Sequence, residues 1–250
     1  RPSANACMRS CHIMDKSRHI VLLLAGGKGE RMKASLPKQY IRVHGESILL
    51  HTMRAFQQHS LIQDIYVVCA PEWADYVQRE AHEGGISKFR TTLQGGETGY
   101  ESLCNGITQL TRMISDPDAL VLVHDAVRPL VTQDVISRNI AVSLTHGNAI
   151  TALGSNEAFI ISKDGLSSAE FLPREGILRA QTPHTFPLKV LEEIIRKGRE
   201  QGITQSQSLF TLANEIGFRP LYISEGDIIN FKITTPRDLL LYQSIKDSEL

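Results

Sequence analysis

The chain has 250 residues and is 42% hydrophobic, enough to bury a full core, which excludes a disordered chain and fits one large domain or a domain with an insertion. Lysine plus arginine and aspartate plus glutamate stand at 27 each, so the formal net charge is zero and no basic face is offered to nucleic acid or an anionic membrane. No apolar run approaches the ~20 residues that span a bilayer, and no long secretory apolar core is visible, so a cytoplasmic protein with neither nucleic-acid nor membrane partners is expected.

In chain order, residues 1–16 show no apolar periodicity and contain Met8 and Met14, either of which could be a start. They read as a disordered or non-native leader before a single domain over 17–250. The run His19–Leu24 reads as a strand and feeds Ala25-Gly26-Gly27-Lys28-Gly29-Glu30-Arg31-Met32, with Pro37-Lys38-Gln39 a few residues on. Glycines let a main chain approach phosphate without a Cβ in the way, their amides can point at anionic oxygens, and Arg31 and Lys38 can neutralise charge during transfer. The pattern therefore points to a nucleoside triphosphate and nucleotidyl transfer. Two commoner glycine motifs fail: Lys28 is followed by Gly29 rather than Ser or Thr, which excludes a P-loop, and Met32 stands where a dinucleotide fingerprint needs a small residue.

Beyond the loop, Ser47 is placed to cap a helix whose face carries Leu49, Met53 and Phe56, and Ile65–Ala70 reads as a strand. A helix is predicted through Leu103, Ile107, Leu110 and Ile114, then a strand at Ala119–Val123, which leads directly into His124-Asp125. Next come a helix through Ile136, Ile140 and Leu144 and a strand at Asn148–Leu153. From about Leu153 to Arg179 the rhythm breaks, and Lys163-Asp164-Gly165 reads as a turn between two short extended pieces, either an arm or an irregular surface insertion. A helix from Leu188 to about Glu200, a strand at Leu221–Ser224 and a strand-like Asn230–Ile233 complete the chain. This alternation predicts an α/β fold, a mostly parallel Rossmann-like sheet with helices on both faces and a protruding β-arm. Gly26-Gly27 and His124-Asp125 both follow strands, so they can converge where such sheets bind ligands. Cys7, Cys11, Cys69 and Cys104 form no CxxC pair and read as buried free thiols.

The glycine loop with Leu36-Pro37-Lys38-Gln39-Tyr40 resembles the opening of the 2-C-methyl-D-erythritol 4-phosphate cytidylyltransferase family, polyol-phosphate cytidylyltransferases that include ribitol-5-phosphate cytidylyltransferase. The resemblance continues through Gly95-Gly96-Glu97, Val123-His124-Asp125-Ala126-Val127-Arg128-Pro129, Gln181-Thr182-Pro183 and Asn230-Phe231-Lys232-Ile233-Thr234-Thr235-Pro236, and so runs from about Ile20 to the C-terminus. It implies a nucleotidyltransferase that joins CTP to a polyol phosphate and releases pyrophosphate. Methylerythritol phosphate, an intermediate of non-mevalonate isoprenoid synthesis, is the preferred acceptor; ribitol phosphate or another polyol phosphate is the alternative.

By the same resemblance, Arg31 and Lys38 stabilise the transition state, while Lys232 and Arg174 position the polyol phosphate. Ala25, Gly26, Gly96, Glu97 and Ser102 read cytosine beside the loop glycines Gly27 and Gly29. Asp125 holds Mg²⁺ against the triphosphate, as a hard cation wants carboxylate and phosphate oxygens. Thr182 adds a hydroxyl near the acceptor, and His124 is structural. Arg128 either reaches the polyol phosphate or ties down Asp125. The arm implies a homodimer in which Arg174 serves the neighbouring subunit's substrate.

Three departures from the family pattern touch substrate binding. Gly99 stands where the family carries an Arg, Ser155-Asn156 stands where an Asp-Thr pair contacts polyol hydroxyls, and Thr204-Gln205-Ser206-Gln207-Ser208 lacks the family's carboxylates. They imply an altered acceptor pocket, weakened activity, or a nucleotide-binding chain without catalysis.

Overall fold

The computed structural model describes residues 17–27, 36–155 and 157–248. The leader with Cys7 and Cys11, the loop residues Gly29 and Arg31, and Asn156 of the arm lie outside the described residues.

The first half of the chain lays down β1 (His19–Leu24), a short ribbon of β2 (Arg42–Val43) and β3 (Glu46–Ser47), α1 (Ile48–Gln57), β4 (Asp64–Cys69), α2 (Ala74–Glu83), β5 (Phe89–Gln94) and α3 (Gly99–Met113). The second half adds β6 (Leu120–Asp125), α4 (Gln133–His146), β7 (Ala149–Gly154), β8 (Phe159–Ile161), β9 (Glu170–Leu172), β10 (Leu178–Pro187), α5 (Leu188–Glu200), α6 (Leu209–Glu215), β11 (Ile223–Glu225) and α7 (Pro236–Ser248). Seven strands form one sheet in the order β11-β7-β10-β6-β1-β4-β5. β1 runs parallel to β4 and β6, β4 to β5, and β7 to β11; β10 alone runs antiparallel, to both β6 and β7.

β1 is apolar almost throughout because both faces of the sheet are covered, which removes the alternation expected of a half-exposed strand. Ile20, Leu22 and Val121 face α3 and α5 through Ile107, Leu110 and Leu191. Val21, Leu23 and Leu122 face α1, α2 and α4 through Met53, Phe56, Val77 and Ile136. The approach of α3 to β4 depends on Gly106, where a Cβ would lie 2.5 Å from Val68 Cγ2. Ser47 caps α1 as its position predicts, its Oγ accepting from Leu50 N at 3.1 Å. Cys69 and Cys104 are free and buried.

The structure also adds elements that the pattern does not announce. β5 is an edge strand in which only Leu93 is buried, and β10 carries Pro183 at a register shift between Ala180 and His184. Asn230–Ile233 is not a strand: Asn230 O is taken by Arg128 and Ile233 O by Lys38, and among the described residues its one backbone bond to another segment runs from Ile233 N to Val127 O. Between β7 and β10, β8 and β9 form a hairpin that, among the described residues, pairs only with itself, and Asp164 Oδ1 accepts from Leu166 N and Ser167 N to close its turn.

Candidate active site

The carboxyl ends of β1 and β6, the first turn of α3, the start of β10 and the segment entering α6 enclose a cleft of about 690 Å³. At the end of β1, Ala25 N donates to Val68 O, which carries the chain into Gly26 and Gly27. Gly26 has to be glycine because Ser102 Oγ occupies the place its Cβ would take. The same hydroxyl accepts from Gly96 N at 3.0 Å, so the glycine turns after β1 and β5 are braced on one side chain of α3. Glu97 N donates to Glu101 Oε2 at 2.7 Å, and Thr98 caps α3. The predicted base-reading set Ala25, Gly26, Gly96, Glu97 and Ser102 is therefore one contiguous patch.

Asp125 closes β6 on the cleft floor. Its Oδ1 accepts from Lys232 Nζ at 2.8 Å and its Oδ2 from Arg128 Nε at 2.9 Å. Burial alone would raise this carboxyl, but the charges and hydrogen bonds of Lys232 and Arg128 outweigh it and hold Asp125 well below the usual carboxylate range. Arg128 is itself buried and donates onward to Asn230 O, so its guanidinium ties Asp125 to the segment that carries Lys232. Lys38, only 8% exposed, donates to Ile233 O at 3.0 Å and anchors the other end of that segment.

Behind Asp125, His124 is fully buried and burial pushes it down to about 3, so it is neutral. Its Nε2 faces Arg128 O at 3.3 Å, and a carbonyl can only accept, which assigns the ring proton to Nε2. Nδ1 then accepts from Thr182 Oγ1 at 3.0 Å, and Thr182 Oγ1 accepts from Asp125 N at 3.1 Å. The Thr182 hydrogen is thus committed to His124, which leaves an oxygen lone pair for a ligand. Asn230 Nδ2 donates to Thr182 O at 2.8 Å and locks β10 to the same cluster.

Cleft residues to which the sequence assigns no role include Gln39, Tyr100, His184, Ser206 and Phe210. Gln39 sits inside the Pro37-Lys38-Gln39 motif, but a glutamine after a lysine gives no sign that it will be buried. Arg174 does not line this cleft; it lies on the segment between β9 and β10. Among the described residues no group of three or more His, Cys, Asp or Glu could hold a metal ion by itself, and no helix is long and apolar enough to cross a membrane.

A mostly parallel sheet with a braced glycine turn at the end of β1, and a cation-ringed carboxylate at the end of β6, suits a phosphate-bearing ligand at the strand ends, and the family match makes the chain a nucleotidyltransferase. The chain belongs to the 2-C-methyl-D-erythritol 4-phosphate cytidylyltransferase (IspD) family, whose profile matches residues 19–247, and it is accordingly a cytidylyltransferase. It is 34% identical over 231 residues to ribitol-5-phosphate cytidylyltransferase of Streptococcus agalactiae, covering 92% of this chain and 96% of that one. It is 32% identical over 232 residues to 2-C-methyl-D-erythritol 4-phosphate cytidylyltransferase of Geotalea uraniireducens, covering 92% and 97%. The crystal structure of the latter enzyme's namesake from Francisella tularensis superposes with a TM-score of 0.73 at 26% identity, over 91% of this chain and 100% of that one.

Proposed function

We propose that this chain transfers the cytidylyl group of CTP to the phosphate of a polyol phosphate, and that ribitol 5-phosphate is the acceptor. A phosphate oxygen of the acceptor attacks the α-phosphorus, the bond between that phosphorus and the bridging oxygen to the β-phosphate breaks, and pyrophosphate leaves. Both partners are anionic, so the work is positioning and charge neutralisation rather than proton transfer. Lys38 and Arg31 neutralise the crowded phosphorus, and Lys232 receives the acceptor phosphate. Arg174 of a second subunit, brought in by the arm of a homodimer, assists it.

Asp125 suits Mg²⁺: it is ionised, and each carboxylate oxygen gives one lone pair to Lys232 or Arg128 and keeps another. Mg²⁺ there would polarise the phosphates and screen their charge. The observation that carries the reading is the meeting, in one cleft, of a glycine turn and a carboxylate set between two cations. The order of acceptors follows the Streptococcus agalactiae relative; the family's own name supports methylerythritol 4-phosphate as the second reading. The reaction belongs in the cytoplasm, where CTP is made.

Incubating the protein with CTP, Mg²⁺ and each acceptor separately, and following pyrophosphate, tests this. Turnover with ribitol 5-phosphate, abolished by Lys38→Ala, is expected. Turnover with methylerythritol phosphate alone would reverse the order of acceptors, and CTP binding without turnover on either would leave a non-catalytic nucleotide-binding chain.

A further inference from the structure

We infer that Gln39 is a positioning residue that sets the glycine turn for the nucleotide; the inference rests on the proposed reading of that turn. Gln39 is 3% exposed and follows Lys38 on a single helical turn, Lys38–Tyr40. Its Nε2 donates to Ala25 O at 2.6 Å and to Gly27 O at 3.1 Å, so both hydrogens of one amide grip the two carbonyls that bracket Gly26.

In a planar trans peptide the carbonyl and the next N–H point in opposite directions. A carbonyl of Ala25 held toward Gln39 therefore turns Gly26 N–H to the other side of the turn. Ser102 Oγ packs against Gly26 where a side chain would begin, so the residue is confined from a second direction. The short helix thus performs two tasks with adjacent residues: Lys38 supplies a cation to the cleft, and Gln39 fixes the backbone that the nucleotide meets.

Gln39→Leu removes both donors at similar volume, Gln39→Glu sets carboxylate oxygens against the two carbonyls, and Gln39→Asn keeps the amide but loses its reach with the least disturbance of packing. Two measurements test the inference on the full chain: hydrogen exchange of the peptide spanning residues 22–27 without nucleotide, and the KM values for CTP and acceptor. The expected result is faster exchange and a CTP KM raised about tenfold, the worth of a lost hydrogen bond, with the acceptor KM unchanged within about threefold. Unchanged exchange, or equal rises in both KM values, would overturn it. Faster exchange in the variants together with a wild-type chain that binds no CTP would uphold the clamp and sink the nucleotide reading instead.

Discussion

His124 and His184 are both buried beside the cleft, held by burial at about 3 and about 4 respectively. The folded chain keeps them neutral while the unfolded chain binds their protons below about pH 6.5. Their contribution is therefore complete above that pH and declines as the pH falls, by about 1.4 kcal/mol per pH unit for each histidine, until the folded values are reached. Asp125 works in a lower window: its depressed carboxyl stabilises above the ordinary carboxylate range and loses that contribution only as the pH falls through and below it. Between pH 5 and 7 these two histidines, together with His51 and His59, which burial also pushes down, set the slope. Urea unfolding should show lower stability at pH 5 than at pH 7, and His184→Gln should flatten the dependence; an identical slope in the variant would mean that folded His184 takes up its proton freely.

Gly99 offers a second test at the same scale. It opens α3 after the Thr98 cap, lines the cleft, and has open space where a Cβ would sit. Gly99→Arg restores a cation that the family pattern carries. We expect the KM for CTP to fall severalfold in steady-state assays, with about 0.3–1 kcal/mol lost because a positive charge opposes the helix dipole in its first turn. An unchanged KM would mean that other residues already saturate the triphosphate.

Among the elements, α3 carries the sharpest packing constraint. Gly→Ala inside a helix ordinarily stabilises by about 0.5–1 kcal/mol. At Gly106 the added methyl would meet Val68 Cγ2 at 2.5 Å and Leu22 Cδ2 at 3.6 Å, and overpacking of this kind costs about 1–3 kcal/mol. Gly106→Ala should therefore destabilise by about 1–2 kcal/mol in urea titrations, and a gain would show that α3 can ride up from β4.

Element ends were legible where a hydrophobic pattern and a boundary residue agree. His19–Leu24 ends at the first glycine turn, and Leu188–Glu200 begins behind Pro187 with an apolar stripe of Leu188, Leu191, Ile194 and Ile195. α7 carried no such stripe, since Tyr242 is its one buried residue among those described, and β10 hid behind Pro183 and the polar residues that serve the cleft. For the site, Lys38, Asp125 and Ser102 could be found because their neighbours form motifs. Gln39 and His184 could not, because their roles come from burial against segments far away in sequence.

At the scale of the whole molecule, the β8–β9 hairpin is the surface through which we propose that copies meet in the homodimer. Ile160 and Phe171 stand opposite each other in its register, 71% and 73% exposed, on a two-stranded sheet that pairs with nothing else among the described residues. An isolated hairpin with an uncovered apolar pair is marginal in water and gains by burial against a partner. Sedimentation should find twice the chain mass of 27.8 kDa for the wild type and the single mass for Ile160→Ser/Phe171→Ser, with pyrophosphate release lost alongside. A wild-type monomer with full turnover would remove both the dimer and the role of Arg174.

The strand order also has a consequence during synthesis. β7 and β11 join the remaining strands only through β10, which lies between β7 and β6. Until residues 178–187 have left the ribosome, β6 presents an unpaired, apolar edge, and β7 has no neighbour on either side. A stalled or truncated chain ending in the arm would carry the braced glycine turn on an open sheet but lack Thr182, Asn230 and Lys232, which anchor the Asp125 cluster, a form suited to pairing with other nascent chains rather than to catalysis. The strand that completes the cleft is also the one that seals the sheet against aggregation.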